Sequence, residues 1–254
     1  MNPVISVIIA TFNAGRTLRT CLDSIILQKN SYIELLVIDG GSSDGTHAIL
    51  SEYGSQIDFI VSEKDRGIYD AWNKGITHAH GEWILFIGAD DTLEKDAFAK
   101  YLGFLDNHDT TEIDYICAKN TYLGNNGQVL KVFGVSWCWE QFRRTMQVAH
   151  VASLHKRSLF NEIGLYALKF RICGDYELLL RKREHLRCLF FDTCIARMAI
   201  GGSSYSMRAL YEAHLVRKLH SDLPDISLIL LYLWQVLLYQ RHRLKMYFID
   251  CFIR

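Results

Sequence analysis

Short apolar runs alternate with stretches of helical spacing through the first ninety or so positions of this chain. Val4-Ile-Ser-Val-Ile-Ile-Ala-Thr11 is one such run, and an apolar, β-branched run closed by turn residues predicts a buried strand. Phe12-Asn-Ala-Gly15 makes the turn, after which Leu18, Leu22, Ile25 and Ile26 fall on one helical face. Residues 33–39 form the second strand and end in Gly40-Gly-Ser-Ser-Asp-Gly45. Thr46 is placed to begin a helix through Ala48, Ile49, Leu50 and Tyr53. Residues 59–62 predict a third strand, and 68–78 a helix with Ala71, Trp72 and Ile76 inward. Residues 83–87 are five apolar positions without alternation, stopping at Gly88-Ala89. Strand and helix in this rhythm predict a parallel, right-handed, doubly wound sheet.

After Asp91 the pattern loosens. Residues 95–107 have helical spacing. Residues 113–118 and 129–135 read as antiparallel strands joined by Gly124-Asn-Asn-Gly127, and 151–154 as a further strand. Short helices are expected at 158–163 and 175–183, a strand at 189–191 and a helix at 207–220. Residues 226–239 are almost wholly apolar and lead into Gln240-Arg-His-Arg-Leu-Lys245. These 14 residues are too few to span a bilayer, which takes roughly 20. Two readings stand: a helix lying at a membrane interface beside basic residues, or one packed on the core or on a second subunit.

Composition narrows the class. The 254 residues suffice for one α/β domain with or without an appendage, and only Pro3 and Pro224 are proline. Seven cysteines with no CxxC spacing favour reduced, packed thiols in a cytosolic compartment over disulfides or zinc. The N-terminus has no basic n-region ahead of its first strand, so no secretory signal is expected. Residues 1–139 carry 10 basic against 18 acidic side chains, and residues 140–254 carry 18 against 10. An acidic first half suits a metal site, and a basic second half suits phosphate or a membrane surface.

In a parallel sheet, ligands bind outside the carboxyl ends of the strands. Four loops should gather there: 11–14, 39–44, 63–70 and 88–91. None carries the GxGxxG of a dinucleotide site. Phe12 offers a flat face for a base or packs in the core. The acid Asp39 can accept hydrogen bonds from a base or ribose. Asp90 and Asp91 repel unless a cation or proton shares them, and hard divalent metals prefer such oxygens together with phosphates. The alternative is a solvated turn capping the helix that follows Thr92.

Taken together, Val4-Ile-Ser-Val-Ile-Ile-Ala-Thr-Phe-Asn13, Val37-Ile-Asp-Gly-Gly-Ser-Ser-Asp-Gly-Thr46, Glu63-Lys-Asp-Arg-Gly-Ile-Tyr-Asp-Ala-Trp-Asn-Lys-Gly75 and Gly88-Ala-Asp-Asp-Thr92 resemble the family 2 glycosyltransferases of the GT-A fold. The likeness covers roughly residues 3–200 and is nearest to bacterial enzymes of O-antigen, capsule or colanic-acid synthesis. It implies a mixed, mostly parallel α/β sheet flanked by helices, in a domain over 1–205, with C-terminal helices over 206–254. Within the domain, 1–92 would bind the nucleotide-sugar and 93–205 the acceptor. Thr11, Phe12 and Asn13 would line the nucleotide, with Asp39 at the base or ribose. Asp65, Asn73 and Lys74 would lie between nucleotide and donor sugar. Asp90-Asp91 match the DXD motif in a variant where Ala89 replaces the first acid, which leaves Asp91 as ligand to Mn²⁺ or Mg²⁺ and Asp90 near ribose or sugar.

The same resemblance places the catalytic base in Ile172-Cys-Gly-Asp-Tyr-Glu-Leu-Leu-Leu-Arg181, where Asp175 fits and Gly174 stands in for a preceding acid. The competing role for Asp175 is a plain helix N-cap. His150 and Arg171 are candidate contacts to the acceptor or its phosphate. The implied enzyme is an inverting, metal-dependent hexosyltransferase on the cytoplasmic face of the inner membrane. It would use a nucleotide-diphosphate sugar, foremost a UDP-sugar, and a polyprenyl-diphosphate-linked saccharide, with no nucleic-acid partner. Its rivals are a nucleotidyltransferase, for which the loop at 11–15 lacks a basic glycine-rich signature, and an inactive glycosyltransferase-like assembly partner.

Overall fold

The computed structural model describes residues 2–124, 126–151, 153–199, 202 and 204–252, with side chains through Leu244. The first half follows the apolar pattern closely. β1 (Ile5–Thr11), α1 (Leu18–Ile26), β2 (Ile33–Asp39), α2 (Thr46–Tyr53), β3 (Phe59–Ser62), α3 (Ile68–His78) and β4 (Trp83–Gly88) succeed one another. Then come β5 (Thr92–Leu93), α4 (Ala97–Asp106), β6 (Tyr115–Leu123), β7 (Val129–Phe133), α5 (Trp139–Phe142), β8 (Leu154–Lys156) and α6 (Arg157–Ile163). The chain continues with α7 (Gly174–Leu180), β9 (Cys188–Ala199), α8 (Met207–His220) and α9 (Asp225–Phe252).

Among the described residues, nine strands form one sheet in the order β3-β2-β1-β4-β8-β6-β9-β5, with β7 added beside β6. β3, β2, β1 and β4 are mutually parallel. β8 runs antiparallel to β4 and β6, while β9 runs parallel to β6. Strand side chains alternate between faces, and the core divides accordingly. Ile5, Val7 and Ile9 pack with α1, α2 and α4 on one face. Ile8, Leu36, Ile84 and Phe86 pack with α3 and with Phe160, Tyr166 and Leu178 on the other. Burial on both faces is why these strands read as unbroken apolar runs.

Several expectations need correcting. The strand expected at 189–191 extends over 12 residues, because its backbone pairs with β6 across a register shift. Its own polar positions, such as Asp192 and Arg197, conceal that pairing. The strand expected at 151–154 begins only at Leu154, and Ala152 lies outside the described residues, as does Asn125 in the turn before β7. β5 and α5 have no signature in the sequence. The C-terminal helix continues 13 residues past Tyr239, to Phe252. The six cysteines with described side chains are free; Cys251 lies outside them.

Ser6 is the one polar residue inside the apolar run of β1, and it has a reason to be there. Its buried hydroxyl donates to Glu34 at 2.6 Å and accepts the Gly81 N–H at 2.8 Å. The turn that leads into β4 is thereby fixed to β1. Ser6→Ala leaves the Gly81 N–H buried without an acceptor, and a loss of about 1–3 kcal/mol is expected. Urea unfolding monitored by tryptophan fluorescence measures it, and an unchanged midpoint would contradict the account.

Candidate active site

Parallel register levels the strand ends. Thr11 pairs with Asp39, Asp39 with Ser62, and Ala10 with Gly88. The four loops therefore leave the sheet along one edge, the crevice where open α/β sheets hold ligands.

The first two loops are tied together. Asn13, at φ 50, donates its backbone N–H to Ser42 Oγ at 2.7 Å and accepts the Ser43 N–H on its side chain at 2.9 Å. Asp39 lies fully buried beneath them. It accepts the hydroxyls of Ser42 and Ser62 and the N–H groups of Gly41 and Ser42. Burial by itself would raise its carboxyl, but the bonds from Ser42 and Ser62, aided by His47, outweigh that and hold it below the usual range. Asp39 thus organises the loop from inside. The Thr11 hydroxyl is also buried, with no partner among the described residues. Phe12 is 63% exposed, which sets aside the core alternative for this ring.

Asp65 joins the same cluster. Its Oδ1 accepts the Gly67 N–H at 2.8 Å, and its Oδ2 lies over Gly40, where a Cβ would stand 2.5 Å away. Lys74 pairs with Glu63 at 2.9 Å. Asn73 has a different task from the one its motif suggests. Its amide donates to the Tyr166 carbonyl and accepts the Tyr166 N–H, both at 2.9 Å. The group ties α3 to the segment ahead of α7.

Asp90 and Asp91 follow β4 directly. A Cβ on Gly88 would lie 2.9 Å from Asp90 Oδ1 and 2.9 Å from Asp91 Oδ2, so the two carboxylates converge over a glycine that leaves them room. They do not cap a helix, since β5 intervenes and α4 takes Asp96 as its N-cap residue. Asp91 is 5% exposed and accepts, among the described residues, a single long hydrogen bond, from the Gly88 N–H at 3.3 Å. Burial first, then the charge of Asp90, pushes its carboxyl up to about 7. A divalent cation would relieve that cost, and two hard oxygens suit Mg²⁺ or Mn²⁺. No group of three or more His, Cys, Asp or Glu converges among the described residues. The other ligands would therefore be phosphate oxygens and water.

Asp175 reaches this edge from the first turn of α7. The N-cap position belongs to Cys173, whose side chain makes no capping bond, so Asp175 is not the plain N-cap. Its Oδ1 instead accepts the Tyr69 hydroxyl at 3.2 Å and the Tyr176 N–H at 2.9 Å. Gly174 precedes it for a steric reason: a Cβ there would stand 2.8 Å from the Tyr69 ring. An acid before Asp175 has no room. Tyr122, on β6, feels both acids. Its hydroxyl is raised by burial first and then by Asp91 and Asp175, so the charge of both acids reaches this one side chain. Arg171 is exposed at the mouth, with its Nη1 3.2 Å from where a Gly67 Cβ would lie.

His150 lies beneath the cleft. It is buried against Trp72 and Phe86, with ring centroids at 4.7 and 5.4 Å. Neither ring nitrogen has a partner among the described residues. Burial lowers its pKa, opposed by Asp175, so the ring is a neutral part of the floor. Reading the sequence overlooked Tyr69, Tyr122 and Glu212. Tyr69 sits inside a quoted motif. Glu212 falls on the inward face of α8 with Ala209 and Val216, and an acid among buried helical positions is a signal that could have found it. Nothing in the sequence marks Tyr122.

The comparisons with known proteins agree with this geometry. The family model described as Glycosyl transferase family 2 matches residues 6–160. This chain belongs to that family. A PGL/p-HBAD biosynthesis glycosyltransferase of Mycobacterium bovis is 32% identical over 185 residues, covering 70% of this chain and 69% of the relative. An uncharacterised glycosyltransferase of Mycobacterium tuberculosis is 33% identical over 202 residues, covering 75% and 76%. Among solved structures, TarS of S. aureus superposes with a TM-score of 0.66 at 20% identity, covering 90% of this chain and 69% of that one. A mannosyltransferase of Pyrobaculum calidifontis, solved with GDP-Man and Mn²⁺, has a TM-score of 0.63 at 16% identity, covering 91% and 69%. The enzyme is a glycosyltransferase with the GT-A fold.

His155, next to His150 at 5.0 Å between centroids, also has two unpartnered ring nitrogens among the described residues. Burial first, then His150, pushes it well below the ordinary 6.5. The unfolded chain therefore binds a proton that the fold refuses, and stability present above pH 6.5 is lost as the pH falls below it. His155→Phe should flatten this acid slope in denaturation curves taken from pH 7 down to about 5. An unchanged slope would remove His155 as its source.

Proposed function

We propose that this glycosyltransferase moves a sugar, with inversion, from a nucleotide-diphosphate donor onto a lipid-linked saccharide, and that the donor is a UDP-sugar held with Mn²⁺ or Mg²⁺. One observation carries the reading: Asp90 and Asp91 converge over Gly88 at the strand ends, while Asp175 lies beside Tyr69, in the first turn of the α3 that leaves the same edge. The donor class is supported by TarS, a structural neighbour solved with UDP-GlcNAc. Phe12 would lie against the base, and Thr11 and Asn13, with the Asp39-ordered loop, would line the ribose side. Asp65 and Lys74 would border the diphosphate and donor sugar.

Asp91, aided by Asp90, would hold the cation, whose chemistry is to neutralise charge on the departing diphosphate. Asp175 Oδ2 accepts no hydrogen bond from a described residue, so it is the oxygen open to an acceptor hydroxyl. As that hydroxyl oxygen forms its bond to the anomeric carbon, Asp175 takes its proton. The bond from that carbon to the diphosphate oxygen breaks, and the nucleoside diphosphate leaves with the electron pair. The Tyr176 N–H at 2.9 Å, with the shared Tyr69 hydroxyl at 3.2 Å, keeps Oδ1 occupied and so orients the carboxylate. Arg171 is placed to meet an anionic group on the acceptor.

The acceptor class is supported by α9. Ile226, Ile229, Leu230, Leu233, Trp234, Leu237 and Leu238 are each at least 44% exposed. The opposite side of the helix meets α8 through Arg217 to Gln235 at 2.9 Å and His214 against Tyr232 at 5.1 Å between centroids. The stripe is two residues wide per turn and uncharged, and exposed Arg241 and Arg243 follow it. A two-stranded coiled coil keeps a narrower seam flanked by charge, whereas a broad apolar face with Trp and basic neighbours suits an anionic membrane surface. No helix among the described residues is long and apolar enough to cross a membrane.

Calorimetry with UDP-GlcNAc, UDP-glucose and GDP-mannose, each with and without Mn²⁺, tests the donor reading. Asp91→Asn should abolish the metal-dependent part of binding. Asp175→Asn should keep binding and lose nucleoside-diphosphate release by roughly 10²–10⁴-fold. A metal-dependent part of binding that survives Asp91→Asn, or near-normal turnover by Asp175→Asn, would overturn the respective role. For the membrane face, the protein should float with phosphatidylglycerol vesicles and not with phosphatidylcholine, and Leu230→Glu with Leu237→Glu should end flotation. A dimer in solution that shows no vesicle binding would refute it.

A further inference from the structure

Glu212 stands in the middle of α8, beyond the segment that the family model matches, and is 7% exposed. Its Oε2 accepts three consecutive backbone N–H groups: Arg171 at 2.9 Å, Ile172 at 2.8 Å and Cys173 at 3.2 Å. Successive N–H groups turned to one point form an anion nest. Here the anion is a carboxylate from another part of the chain, and the nest is the loop that delivers Asp175.

The same loop is gripped on its other side. The single proton of the Tyr69 hydroxyl is directed to the Ile172 carbonyl at 2.7 Å and shared with Asp175 Oδ1 at 3.2 Å. The Cys173 thiol donates to the Ala209 carbonyl of α8 at 3.4 Å. Among the described residues Glu212 Oε1 meets only the largely exposed Arg208, at 3.4 Å, so there this buried charge is satisfied chiefly by the loop backbone. A helix could pack here through apolar side chains at less cost in desolvation. What a single side-chain acceptor oxygen supplies, and an apolar side chain does not, is a common direction for three successive N–H groups immediately before the first turn of α7. That direction sets where the Asp175 carboxylate points.

We propose that Glu212 is a positioning residue for the transfer reaction: it fixes the 171–173 backbone so that Asp175 is held against the acceptor site. The proposal rests on the reading of Asp175 as the base. It makes α8 part of the catalytic unit.

The test uses the full chain, with hydrogen exchange over residues 165–176 and nucleoside-diphosphate release from whichever of UDP-GlcNAc, UDP-glucose or GDP-mannose the wild type turns over fastest with Mn²⁺. Glu212→Ala should speed exchange at 171–173 at least tenfold. It should lower kcat by roughly 10²-fold, the scale of an ångström misplacement, with donor KM nearly unchanged. Glu212→Gln keeps an acceptor oxygen and should recover most of kcat. In an Asp175→Asn background, Glu212→Ala should cost nothing further, because both act through one group. Unchanged exchange at 171–173, a kcat within about twofold of wild type, or a loss that persists in the Asp175→Asn background would each overturn the proposal. Full turnover by Asp175→Asn alone would instead defeat the base reading, while the exchange data would still report on the clamp.

Discussion

The structure depends on the parallel, in-register pairing of four strands around β1. That pairing brings Thr11, Asp39 and Ser62 to one level, with Gly88 one residue short of it, and the acids of the first half hang from those ends. Burial on both faces holds the strands so firmly that the loops can carry costly groups. Asp39 can be buried because the donors around it come from loops whose positions the sheet fixes. Asp91 can be buried, with its carboxyl pushed up, because β4 cannot yield. The strain of two adjacent carboxylates is thus concentrated where a divalent cation and a diphosphate would resolve it.

The second half of the chain answers a different requirement. Asp175 comes from a region of looser patterning and must be brought to an edge built by residues far from it in sequence. The enzyme does this with backbone-directed contacts. Asn73 grips Tyr166, Tyr69 grips Ile172 and Asp175, and Glu212 grips three amides. Gly174 belongs to the same solution, since the Tyr69 ring fills the place of a side chain there. A loop held through its own N–H and C=O groups is fixed in orientation as well as in place, which the proton-accepting role proposed for Asp175 needs.

How much of this is legible beforehand varies along the chain. The strands and helices to residue 88 follow from apolar runs, because each element there buries its own pattern. The acids Asp39, Asp90 and Asp91 can be picked out because they stand at the ends of those runs, and Asp65 by resemblance. Asp175 is found by resemblance, and its helix by spacing. By contrast, the true role of Asn73 is invisible: a side chain that bonds to backbone 93 residues away leaves no periodic trace. The length of β9 is hidden for the same reason, since its partner supplies the order that its own polarity does not.

His150 and α9 mark the boundary most clearly. Their residue types pointed to an acceptor contact and to an apolar helix with basic neighbours. Whether the imidazole faced the cleft or lay under it depended on Trp72 and Phe86, which close over it from other elements. Which side of α9 stayed open depended on α8. The sequence by itself determined the four parallel strands β1 to β4, the edge at which their acids would gather and the family to which the chain belongs, because those follow from local burial and local motifs. Only the tertiary structure decided which polar groups are free to act and which are occupied holding others, because a hydrogen bond is made by two partners and the sequence shows only one at a time.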